Sequence, residues 1–277
     1  MNLKKIASML SAAAVLATAG VSASAATVVL DGWSLQTPAG TVSNIGRMNL
    51  TGGDAIVVQE FDPTGNAFVN AKFSESGQIF NILFQSENVV GAGDNGTPVT
   101  SGEMLRISFS AVQGHVTALN SGGGFHYVFD TGSYQIAPEA NLSNVYASGT
   151  IVGLGGNAAS TNIIGGINGD STLLGTLTNI LPTVHFRDHA GNDLAALLGT
   201  GGVLYEAVTN NNLTSPLTPV TCPFVPNRAT SNCQSFHVSS DGSGYLVREV
   251  PEPATLALAG FALLGVGAAR RRRGPAK

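Results

Sequence analysis

Short runs of β-branched and aromatic residues recur along this chain, each stopped within a few positions by Gly, Asn, Asp or Pro. Ala55-Ile-Val-Val-Gln-Glu-Phe61 is the densest of them, and Phe68-Val-Asn-Ala-Lys-Phe73 and Met104-Leu-Arg-Ile-Ser-Phe109 alternate apolar with polar residues. Alternation with period two places one face of a strand in a core and the other in water. Turn signals separate the runs: Thr51 to Asp54, Asp62 to Asn66, Ser74 to Gly77 inside an expected hairpin, Gly114, and Asp241 to Gly244. Strands spaced by about 8–12 residues predict an all-β fold, an antiparallel β-sandwich or jelly-roll-like domain. Gly153 to Leu181 reads as irregular, with a short helix around Thr172 to Leu181, and Asn192 or Asp193 caps a two-turn helix over Leu194 to Leu198. Thr209 to Pro219 reads as an Asn-rich loop, and the last strand, Tyr245 to Val250, closes the domain.

Both ends lie outside that pattern. Lys4 and Lys5 precede a mostly apolar stretch from Ile6 to Val21, and Ala23-Ser24-Ala25 is a small-residue cleavage site. This is a secretory signal peptide, cut so that the mature chain starts at Ala26. Its processing partners are the Sec translocon and signal peptidase. At the other end, Pro251-Glu252-Pro253 is followed by uncharged residues from Ala254 to Ala269, then by Arg270, Arg271, Arg272 and Arg273. As a helix those uncharged residues reach about 24 Å, slightly short of a ~30 Å hydrocarbon core, and arginine stems can snorkel across part of the deficit. The arginines stay on the cytoplasmic side, which puts everything before Pro251 outside. The sequence thus divides into residues 1–25, an exported β-rich domain over 26–250, and a C-terminal transmembrane sorting helix within 251–277.

The triplet, the apolar span and the basic cluster, in that order at the C-terminus, resemble the PEP-CTERM sorting signal. That resemblance implies an exosortase as processing partner and a transient stay in the inner membrane of a Gram-negative bacterium. It further implies delivery to the cell surface or extracellular matrix, and work with exopolysaccharide in biofilm or floc formation. The Phe73-Ser-Glu-Ser-Gly77 region is loosely similar to floc-associated members of the group.

Charge supports an exterior destination. Residues 26–250 keep six of the 13 bases and 16 of the 17 acids, a net charge of −10. That sign disfavours nucleic acid as a partner. Charged residues make up 11% of the chain against the usual ~25%, and its 35 glycines are nearly double the usual share. Cys222 and Cys233 are the only cysteines, and an even count in an exported chain predicts a disulfide.

Few motifs carry chemistry. Gly153-Leu-Gly-Gly-Asn-Ala158 fits a dinucleotide fingerprint but lacks the helix and βαβ setting that chemistry needs, so it reads as a glycine-rich loop. His185, Asp188 and His189 cluster beside Asn192 and Asp193, as a strand end and polar turn or as ligands for a divalent metal. The Asp/Asn/Gly turns would suit Ca²⁺, the one ion considered, though none has EF-hand spacing; no cofactor and no catalytic residue is assigned. The first reading is a non-enzymatic surface or matrix protein. The second is a lectin-like carbohydrate-binding module, whose aromatics would be Trp33, Tyr127, Tyr134 and Tyr146. The third is a secreted hydrolase using His185 and Asp188.

Overall fold

The structure is a computed structural model, and it describes residues 26–86, 98–99, 103–121, 124–158, 168–198, 203–223 and 232–250. The expected signal peptide, its cleavage site at Ala23 and Ala25, and the sorting segment from Pro251 onward lie outside the described residues. Among the described residues no helix is long and apolar enough to cross a membrane. Val28–Arg248 forms one compact unit.

Fourteen strands account for most of the described residues. They are β1 (Ala26–Val29), β2 (Trp33–Thr37), β3 (Gly40–Phe61), β4 (Lys72–Ser86), β5 (Pro98–Val99), β6 (Leu105–Leu119) and β7 (Phe125–Pro138). Then follow β8 (Ala147–Gly153), β9 (Gly155–Ala158), β10 (Asn168–Ile180), β11 (His185–Arg187), β12 (Val203–Leu213), β13 (Thr218–Val220) and β14 (Asn232–Val250). All join one antiparallel sheet, as the alternation predicts. The pairings add that this sheet closes on itself. β3 bonds β4 on one side and β14 on the other, with Phe236 opposite Val57 and Gly244 opposite Met48. Eight staves result, in the order β3, β4, β6, β7, β8 with β9, β10, β12 and β14. A closed sheet leaves no free edge among its staves, and an eight-stranded barrel is wide enough to be filled by side chains or to hold one small ligand.

Several expected turns are strand interior instead. Thr51 to Asp54 lies within β3, Ser74 to Gly77 within β4, Gly114 within β6 and Asp241 to Gly244 within β14. The hairpin expected around Ser74 to Gly77 is therefore one continuous strand. These glycines mark bulges or leave room for rings. Gly52 has φ +70, and its N–H donates to Asp241 Oδ1 at 2.9 Å where the β3–β14 register slips. A Cβ on Gly149 would lie 2.6 Å from the Tyr134 ring and one on Gly175 would lie 2.5 Å from it, so two bare backbones flank one buried aromatic. The helix expected around Thr172 to Leu181 is likewise absent, because that stretch forms β10. Its inward positions run Ser171, Leu173, Gly175, Leu177, and a serine and a glycine at two of them hide the apolar period. The Asn-rich stretch from Thr209 is the end of β12 followed by β13.

One end of the barrel is plugged. β2 extends from β3 and carries β11 as its outer neighbour. A short 3₁₀ helix at Leu194–Leu197, shorter than the expected two turns, is capped by Asp193, whose carboxylate accepts from the Ala195 N–H. Trp33 is fully buried there, with Phe186 stacked on it at 6.0 Å and Phe84 edge-on at 6.0 Å. The expected final strand does run to Val250, as the end of β14. Cys222 and Cys233 are joined, with Cα atoms 5.1 Å apart. The cross-link ties the start of β14 to the segment after β13 and contributes about 2–3 kcal/mol in the chain-entropy account.

Candidate functional site

Opposite the plug, the barrel interior is not filled. A cavity of about 60 Å³ opens between β3, β4, β7, β12 and β14. Strand alternation places its walls: Val57, Phe73, Phe125, Tyr127, Phe236 and Val238 turn inward. The rings meet edge to face, Phe73 to Tyr127 at 5.5 Å and Tyr127 to Phe129 at 5.5 Å. Three polar side chains share this lining: Gln59, Glu75 and Asn211.

Their hydrogen bonding differs sharply. Asn211 is held in a network across β10, β12 and β14: its Nδ2 donates to Ser171 Oγ at 3.0 Å, and its Oδ1 accepts from Ser240 Oγ at 2.8 Å and Thr209 Oγ1 at 3.2 Å. Gln59 is 3% exposed, and its Nε2 has no hydrogen-bond partner. Leaving a buried amide donor unmade costs about 1–3 kcal/mol. Glu75 sits opposite Val57 on β3 and Val112 on β6, two apolar neighbours. Burial pushes its carboxyl up to about 7. Burial, and then the neighbouring Glu75 charge, also push the Tyr127 phenol up. Its hydroxyl donates to the Asp170 carbonyl at 3.3 Å.

The raised Glu75 pKa has a consequence for stability. The folded chain holds a proton that the unfolded chain releases near the ordinary glutamate value, so the group's stabilising contribution is complete below that value and is lost as pH rises through about 7. Asp62, Asp188 and Asp193 are shifted the other way, and their contributions are lost only as pH falls below the ordinary aspartate range. A Glu75→Gln chain should therefore gain Tm over the wild type at about pH 8 and lose that advantage at about pH 5. Thermal melts of both at the two pH values check this; parallel curves would place the carboxyl in water.

The residues singled out in the sequence fall elsewhere. His185 Nδ1 lies 2.6 Å from Asp193 Oδ2, at the plugged end. Burial raises the Asp193 carboxyl, but the Ala195 N–H and the His185 ring together hold it below its ordinary value. Asp188 is occupied by Asn192, whose backbone N–H donates at 2.8 Å and whose side chain donates at 2.9 Å. The pair named for a hydrolase is thus split between two partners, a strand end and its turn. Asp62 likewise closes its own turn, accepting from the Thr64 N–H, the Thr64 hydroxyl and the Asn66 N–H. No cluster of three or more His, Cys, Asp or Glu fit to hold a metal occurs among the described residues. Gly153 to Ala158 is the junction of β8 and β9, with φ +137 at Gly153 and +64 at Leu154, and a Cβ on Gly156 would lie 2.5 Å from the Tyr127 hydroxyl. Trp33, Tyr134 and Tyr146 are at most 4% exposed, so they form no stacking platform for a polysaccharide.

Sequence reasoning gave no role to Gln59 or Glu75, which lie inside the Ala55 to Phe61 run and the Phe73-Ser-Glu-Ser-Gly77 stretch. Both sit in ordinary alternating strands, and a signal existed only in their parity: each is polar at a position whose i±2 neighbours are apolar or glycine.

Compared with curated proteins and with solved structures, the chain matches none. A family model for the PEP-CTERM protein-sorting motif matches residues 249–273. The match starts where β14 ends and covers the triplet, the apolar span and all four arginines. The chain therefore carries a C-terminal PEP-CTERM protein-sorting motif, which implies export and sorting by an exosortase.

Proposed function

We propose that the protein is a non-enzymatic component of the cell surface or extracellular matrix that acts with exopolysaccharide in biofilm or floc formation. The observation that carries this reading is the sorting motif set directly after the last stave of a closed barrel. Pro251, Glu252, Pro253 and Arg270 to Arg273 are the residues the exosortase reads, in an inner-membrane intermediate of a Gram-negative cell. The exported part suits that setting. Its net charge of −10 and its wealth of Asn, Ser and Thr favour many weak hydroxyl, amide and carboxylate contacts with hydrated glycans. The eight staves are paired on both sides, so sheet-to-sheet growth between copies is confined to appended strands such as β1 and β11.

Deleting the gene should leave polysaccharide secretion intact while the cells disperse. Microscopy of settled culture beside a sugar assay of the medium reads both. Normal flocs in the deletion strain would overturn the matrix role.

A further inference from the structure

We infer that the open end of the barrel is a binding site for a small organic cation, an ammonium group carrying a compact apolar body and one hydrogen-bond acceptor. This stands apart from the matrix role and does not depend on it. Three observations converge on the cavity. Among the described residues, Glu75 is the one carboxylate in its lining and no basic residue lines it. Phe73, Phe125, Tyr127 and Phe236 line the same cavity as that carboxylate, and aromatic surface attracts a cation. Gln59 is buried beside them with its Nε2 donor unpartnered, so a ligand whose arrival turns that amide toward the cavity would gain one hydrogen bond.

Each feature selects against other ligands. An anion would meet Glu75. A neutral hydrocarbon would leave Gln59 unpaired. A bare metal ion would find one carboxylate among rings, far from the several oxygen ligands hard cations take. An ammonium with an apolar body satisfies the carboxylate and the rings together, and an oxygen on that body accepts from Gln59.

Among the described residues, the charged and titratable groups around Glu75 are few. β3 presents Val57 and Gln59, β6 presents Val112, and β14 presents Phe236 and Val238; none of these titrates. β7 presents Tyr127, which stays protonated, and Asp170 on β10 lies near Tyr127. His115 is paired with Asp130 at 2.9 Å, and His237 with Asp54 at 3.4 Å, both exposed pairs. Binding should thus follow the ionisation of Glu75 alone.

Choline is a suitable probe, with its uncharged carbon isostere dimethylbutanol as control. Titration calorimetry on the full chain in non-ionic detergent should show saturable choline binding at about pH 8. With a carboxyl near 7, the ionised fraction falls about 30-fold between about pH 8 and about pH 5.5, and the apparent affinity should fall with it. Dimethylbutanol should bind at least about tenfold more weakly than choline, and Glu75→Gln should weaken choline by at least about tenfold and flatten its pH profile. Choline should also raise the wild-type Tm at about pH 8 and not at about pH 5.5, a readout that needs no variant. No saturable binding at about pH 8, equal affinity for the isostere, or unchanged affinity in Glu75→Gln would each overturn the assignment.

Discussion

A chain with Pro251, Glu252 and Pro253 all changed to alanine should lose its signal peptide and keep its whole C-terminal tail, ending as residues 26–277. The apolar span from Ala254 to Ala269 and the four arginines after it remain in such a chain, so it is still exported and still held at the membrane. Only the element that separates this tail from a plain anchor is gone. The effect should be close to all or none, because a protease that reads an extended triplet has no second copy to use. Intact-mass spectrometry of membrane and extracellular fractions measures it: the wild type should appear outside the cell without its tail, the variant in the membrane at the mass of residues 26–277. Equal processing of the two would show that the triplet is not what is read. A complementary change of Arg270 to Arg273 to glutamine should leave the triplet in place and impair retention and orientation instead, so the two variants should fail at different steps.

The second large effect lies at the plugged end of the barrel. Trp33→Ala should destabilise the fold by about 3–5 kcal/mol, the range for removing a fully buried large aromatic. Trp33 joins three pieces from separate parts of the sequence: Phe84 on β4, Phe186 on β11 and its own strand β2. Trp33→Phe should cost much less. The ring contact survives in part, and the indole Nε1 has no partner to lose. For a domain of this size each kcal/mol moves Tm by about 2–4 °C. Since Trp33 is the only tryptophan, unfolding should be followed by circular dichroism. A loss under about 1 kcal/mol would mean that β2 and β11 close over the gap.

How much of this was legible in the sequence depends on what glycine was doing. Ala55 to Phe61 read as a strand and is one, and the closing strand ends at Val250 as expected. The tail was legible outright, since composition and order alone define it. Length was the part that stayed hidden. Gly77, Gly114, Gly149 and Gly175 look like stops, yet each lies inside a stave, where an added Cβ would come within 2.6 Å of a neighbouring backbone or ring atom. A glycine that makes room for Phe73 or Tyr134 of a nearby strand cannot be told from a turn glycine by local pattern. Closure was hidden for the same reason, because the β3–β14 pairing links residues at opposite ends of the domain. The cavity followed closure out of reach. Glu75 and Gln59 become unusual only when five strands are seen to face them.

Closure also sets a schedule. Export feeds a chain across the membrane from its N-terminus. β3 is among the first staves to arrive and must wait for β14, the last, before its second edge is bonded. No partial length of the domain can complete the ring. The moment at which the barrel can lock is therefore the moment at which the sorting segment, beginning at residue 249, reaches the translocon. A tail that halts there would keep the newly complete domain at the membrane surface while it folds, so release would come after assembly and not before it.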